Sequence, residues 1–87
     1  MSKSVQIQIA GADCPSCNKL EALCREVVSE LNIPTNIEKV TELERITELG
    51  IFVTPGLIIN GKVYTSGKIP LKSTLRHWLA DAAGVQI

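Results

Sequence analysis

The sequence predicts an α/β domain in which a four-stranded mixed sheet carries three helices, in the order β-α-β-α-β-β-α. Three observations point there. Apolar residues recur at every second position in some stretches and at alternating intervals of three and four in others, the signatures of strand and helix. Asn60-Gly61 stands between two strand-like runs, a hairpin signal, since a type I′ turn needs positive φ at both central residues. A strand, a helix and a second strand in the first half favour a parallel pair, which makes the sheet mixed once the antiparallel hairpin joins it.

Each element can be justified in turn. Val5, Ile7 and Ile9 alternate with Gln6 and Gln8, and Gly11 breaks the strand. From Pro15 the period changes: Cys17, Leu20, Cys24, Val27 and Leu31 form one apolar stripe on a helix of about four turns. Pro15 suits the first helical position, where its missing N–H costs no intrahelical bond. Asn32-Ile33-Pro34 ends the helix, and Thr35 to Val40 reads as a second strand centred on Ile37. Thr41 and Glu44 have the capping-box spacing, so a second helix is expected to start there, with Leu43, Ile46 and Leu49 as a narrow apolar face and Gly50 as its stop. Ile51 to Gly56 leads into Leu57-Ile58-Ile59, the Asn60-Gly61 turn and a strand from Lys62 to Thr65, after which Ser66-Gly67 loops out. From Pro70 a third helix carries Leu71, Leu75, Trp78, Leu79 and Ala82 on one face and ends at Gly84. Gln6 and Gln8 on a central strand imply a second sheet face that the short second helix covers only in part.

Size and charge restrict what such a chain does. Its 87 residues are expected to form a single domain, 1–87, burying about 60 to 65% of the extended-chain surface around one modest core. Nine basic and nine acidic side chains cancel without a charge block, which gives no electrostatic case for nucleic acid or an anionic membrane. No segment has the apolar length of a signal peptide or a bilayer span, so a cytoplasmic protein is expected. Three cysteines are an odd number, and in a reducing compartment they point to catalytic or metal-binding thiols rather than a structural disulfide framework.

Cys14-Pro15-Ser16-Cys17 is where that chemistry is expected. Cys14 falls at the N-terminus of the first helix, where unpaired amides and the positive end of the macrodipole favour a thiolate and lower its pKa from about 8.5 toward about 3.5 to 7.5. It is the expected attacking sulfur. Cys17, a helical turn further in and on the buried stripe, is near enough to close an intramolecular disulfide and is the expected resolving thiol. Cys24, seven residues on along the same stripe, reads as a small buried hydrophobe without a redox role. His77 reads as a solvated surface residue and Trp78 as a core anchor.

The element order, the Cys-x-x-Cys at the first helix and the Thr54-Pro55 step before the hairpin together resemble the thioredoxin superfamily in its small, glutaredoxin-sized form. They are most similar to the small thioredoxin-like redox-active disulfide proteins of archaea and bacteria. The likeness spans about residues 4 to 83. It implies a thiol–disulfide oxidoreductase that reduces protein or small-molecule disulfides, with Cys14 as nucleophile, Cys17 as resolving thiol and Pro55 as the cis-proline beside them. Thr54 would then present its backbone to an incoming peptide. The resemblance implies no cofactor, a disulfide-bearing substrate, a thioredoxin-reductase-type electron donor, and a monomer, with a dimer as the alternative. There are departures: Asp13 precedes the first cysteine, Gln8 stands where thioredoxins carry a buried acid, and Ser66-Gly67-Lys68-Ile69 lacks the acid that glutaredoxins use for glutathione.

The rival reading is a soft-metal-binding module or copper chaperone, in which the same two thiolates capture Cu(I) or Zn(II). Its domains run β-α-β-β-α-β, end in a strand and have no counterpart to Thr54-Pro55. A zinc site from Cys14, Cys17, Cys24 and His77 would need four convergent ligands, and packing explains Cys24 better.

Overall fold

The computed structural model describes residues 4–11 and 15–84. Strand β1 (Val5–Ala10) is followed by α1 (Pro15–Leu31), β2 (Thr35–Val40), α2 (Leu43–Glu48), β3 (Gly56–Ile59), β4 (Lys62–Ser66) and α3 (Lys72–Ala83). The sheet order is β2-β1-β3-β4, with β1 parallel to β2 and the remaining pairs antiparallel. This is the expected mixed α/β sheet, a thioredoxin-like arrangement.

Period-2 alternation in β1 sorts its side chains onto two faces. Val5, Ile7 and Ile9 join Leu57 and Ile59 of β3 against Leu20, Cys24 and Val27 of α1 and Leu75, Leu79 and Ala83 of α3, forming the larger core. Ala10 and Ile58 point the other way and pack with Val40, Ile46 and Ile51 under α2. Strand β3 is buried along its whole length because both faces are covered there, hence its unbroken apolar run. Gln6 and Gln8 lie where α2 no longer reaches. Gln8 Nε2 donates to Glu38 Oε1 at 3.1 Å, and Asn36 Nδ2 donates to Gln6 Oε1 at 3.2 Å, so polar cross-strand pairs line that open part.

Turn chemistry follows the sequence closely. Asn60 and Gly61 have φ of 51° and 82°, as a type I′ turn requires. Asn60 also donates its N–H to the Gln6 carbonyl at 2.8 Å and accepts from the Gln6 N–H at 2.9 Å, tying the hairpin to β1. Helix α1 stops where Asn32 turns left-handed (φ 54°) and the Ile33 N–H reaches back to the Val28 carbonyl at 3.1 Å.

Four expectations need correction. Helix α2 starts at Leu43 with Glu42 as N-cap and no side-chain cap bond, so Thr41 and Glu44 form no capping box. Its apolar face is narrower still: Ile46 is buried, but Leu43 is 74% exposed, because the first turn of this six-residue helix has no neighbouring element to cover it. Leu71 takes the N-cap of α3 in extended conformation and is 75% exposed, so it falls outside the helical stripe; Ala80 and Ala83 complete the buried face instead. Trp78 is only partly buried, flanking the core with its ring tilted 52° to Tyr64 at a centroid distance of 5.1 Å. Among the described residues no helix is long and apolar enough to cross a membrane.

Candidate functional site

Helix α1 begins at Pro15, the position where a proline loses nothing. Its first turn brings Cys17 down onto the stripe shared with Leu20, Cys24 and Val27, fully buried against the sheet. Cys17 is disulfide-bonded, whereas Cys24 is a free, buried thiol. Ala12 to Cys14 lie outside the described residues, and the expectations for Cys14 fall there. An open depression lined by Pro15, Ser16, Asn18 and Lys19 marks the solvent side of this turn. Another, lined by residues that include Arg25, Val28, Asn32 and Ile37, sits at the opposite end of α1.

The segment leading into β3 supplies the second part. The Thr54–Pro55 peptide bond is cis; Pro55 is buried and Thr54 exposed. The segment is held from the far end of β4. Ser66 Oγ donates to the Val53 carbonyl at 3.0 Å, and the Gly67 N–H donates to the Pro55 carbonyl at 2.7 Å. Gly67 has φ 83°, and a Cβ there would fall 2.6 Å from Val53 Cγ1, so only glycine allows the approach. Ser66 and Gly67, in the stretch compared above with a glutathione-binding region, here brace the Thr54-Pro55 segment. Among the described residues the Thr54 N–H and C=O take part in no hydrogen bond.

Gly11 is where the two parts meet. Its N–H donates to the Val40 carbonyl at 2.9 Å, continuing the β1–β2 pairing past the last strand residue. A Cβ built on Gly11 would lie 2.3 Å from Cys17 Sγ and 3.5 Å from Thr54 Cβ. The resolving-thiol candidate and the substrate-loop candidate therefore converge on one glycine at the end of β1. In the sequence alone Gly11 reads only as a strand breaker. The signal available was a glycine between an apolar strand and a cysteine pair, with no reason visible in one dimension for the close approach.

Electrostatics silence the third thiol. Burial, with a smaller contribution from the Glu21 carboxylate, pushes the Cys24 thiol up to about 12, so it stays protonated and unreactive at neutral pH. Gln8, in place of an acid, binds the Glu38 carboxylate; that hydrogen bond and then Arg45 hold Glu38 below the ordinary carboxylate range, which makes it a poor proton acceptor. Among the described residues no group of three or more His, Cys, Asp and Glu side chains could hold a metal ion.

Sheet order, helix placement and a cis-proline segment converging with a first-turn cysteine define the class as a thioredoxin-like α/β protein. Residues 5–80 match the family model of the thioredoxin domain, and the chain belongs to that family. It is a thioredoxin-like redox protein, of oxidoreductase type in the general sense. Among curated proteins, none matches the chain.

Proposed function

We propose that the protein is a thiol–disulfide oxidoreductase that reduces disulfides, of proteins or of small molecules, through Cys14 and Cys17. The observation that carries this reading is the convergence of Cys17 Sγ and Thr54 on Gly11, which sets a buried, disulfide-bonded sulfur beside a backbone segment with unclaimed hydrogen-bonding groups. Cys14, as thiolate, attacks one sulfur of the substrate disulfide; the new S–S bond forms as the old one breaks, and the departing substrate thiolate takes up a proton. Cys17 then loses its proton and attacks Cys14, which releases the second substrate thiol and leaves Cys14 and Cys17 joined. Two electrons pass from the protein to the substrate, and a thioredoxin-reductase-type donor returns them. An extended substrate strand can pair with the Thr54 N–H and C=O while the exchange takes place.

The compartment that suits such a dithiol is the reducing cytoplasm, and the protein works as a monomer without cofactor, nucleic acid or membrane. The soft-metal carrier is the alternative for the same two thiols, and the element order β-α-β-α-β-β-α, with a helix after the hairpin, favours disulfide exchange over it. The test is a Cys17→Ser variant. It should accumulate mixed disulfides on Cys14 that dithiothreitol releases, and in the wild-type protein Cys14 should alkylate well before Cys17. Tight Cu(I) binding with no turnover of insulin disulfides would sink the proposal and support the metal carrier.

A further inference from the structure

Gly11 is the element of this site that the reaction scheme has not used. Its backbone is fixed from both directions: the Gly11 N–H is committed to the Val40 carbonyl at 2.9 Å, and φ is +152°, a conformation that side-chain-bearing residues rarely adopt. The space a Cβ would need is taken by the Cys17 sulfur, 2.3 Å from the ideal Cβ position, and by Cys17 Cβ and Thr54 Cβ at 3.5 Å each. Cys17 has no exposed surface and stands on a helix packed into the core, so its sulfur has nowhere to retreat except by leaving its rotamer.

We propose that Gly11 is a positioning residue for the resolving thiol: its missing side chain is the seat of Cys17 Sγ and thereby sets how readily that sulfur closes on Cys14. This rests on the reading of Cys17 as the resolving thiol. In the step concerned, the Cys17 thiolate forms the S–S bond to Cys14 while the bond between Cys14 and the substrate sulfur breaks, and the substrate leaves as a thiolate that takes up a proton from water. The seated sulfur seen here belongs to the disulfide-bonded state. A methyl group at position 11 penalises that state more than the dithiol, in which Cys17 Sγ is free of its bond and can rotate. The pair consequently becomes more oxidising and the resolving step slower, by roughly two- to tenfold for a side chain forced about 30° off its rotamer.

The experiment is a double-mutant cycle of Gly11→Ala and Cys17→Ala, with urea unfolding followed for each protein and, where Cys17 is present, for both its oxidised and its reduced form. The expected result is that Gly11→Ala destabilises the oxidised protein most, the reduced protein less, and the Cys17→Ala background least, since removing the sulfur frees the space. The Gly11→Ala protein should also shift its equilibrium with a glutathione redox buffer toward the dithiol and prolong the mixed disulfide with a model peptide. Equal destabilisation in all three forms overturns the proposal and leaves Gly11 as a backbone requirement alone. So does a Gly11→Ala chain that fails to fold even with Cys17→Ala. The stability cycle needs no substrate, so the seating role and the proposed reductase activity can fail separately.

Discussion

Ile51 fills the space that a side chain at Gly56 would need: a Cβ on Gly56 would lie 2.3 Å from Ile51 Cδ1 and 2.9 Å from its Cγ2. Both residues are buried, one where α2 returns to the sheet and the other at the start of β3, directly after Pro55. Gly56→Ala is therefore expected to overpack the smaller core and cost about 1 to 3 kcal/mol. The urea midpoint measures it. A concurrent Ile51→Val should recover part of the loss, and if it deepens the loss instead, the steric account is wrong.

Thr65 presents the opposite case, a buried polar atom without a partner. Its Oγ1 is shielded from solvent and makes no hydrogen bond, in β4 opposite Leu57 and next to the register shift between Leu57 and Ile58. Thr65→Val keeps the shape and removes the unmet hydroxyl, and it should stabilise the fold by about 1 kcal/mol. A lower melting temperature for the valine variant would show that the hydroxyl is satisfied in solution.

Acid sensitivity should reside between α1 and α3. The Lys72 Nζ lies 2.7 Å from Glu30 and 2.9 Å from Glu26, and Arg76 also pairs with Glu30. The Lys72 hydrogen bond, with Arg76 adding to it, holds Glu30 below its ordinary 4.5, and the same carboxylates hold Lys72 above its ordinary 10.5. A depressed carboxylate stabilises the fold above its unfolded pKa and loses that contribution as the pH falls through its folded one. A raised lysine contributes below its unfolded pKa and loses its share as the pH rises through the folded value. Glu30→Gln should consequently reduce stability at neutral pH, and the difference from wild type should shrink as the pH falls through the lowered folded-state pKa of Glu30. These groups are exposed enough that about 1 M salt should shrink the neutral-pH difference as well. A difference that persists unchanged into acid would contradict the assignment.

Cys24 is expected to be silent. With its thiol pushed up to about 12 inside the larger core, native protein at neutral pH should leave Cys24 unmodified by iodoacetamide until it unfolds. Cys24→Ala should lower stability by about 1 to 2 kcal/mol through lost packing, with rates of disulfide exchange preserved. Slower exchange would mean that the third thiol takes part.

What could be read in one dimension was whatever local chemistry decides. The β1 alternation, the stripe from Cys17 to Val27, the Asn60-Gly61 turn and the left-handed stops at Gly50 and Gly84 each depend on a few neighbouring residues, and the structure has them where the pattern put them. What escaped depends on tertiary neighbours. Leu43 and Leu71 fit helical spacing, but a residue is buried only if another element lies opposite, and neither has one. The Thr41–Glu44 spacing promised a cap, yet the chain leaves β2 in extended form as far as Glu42, which moves the helix start one residue on. At the site, the cysteine motif and Thr54-Pro55 could be singled out from residue type, whereas the role of Gly11 could not, because its reason lies in residues that only folding brings beside it.

The sheet order has a bearing on how the chain behaves while it is being made. Strand β1 leaves the ribosome first, but its second neighbour, β3, is synthesised only after α1, β2 and α2, and Leu75 and Leu79, which share the core with Cys24, come later still. Until those residues are in place the unfinished polypeptide has no core to shield Cys24. The protection that makes this side chain inert in the folded molecule arrives with α3, and any oxidative damage to it should be laid down before that helix docks rather than after.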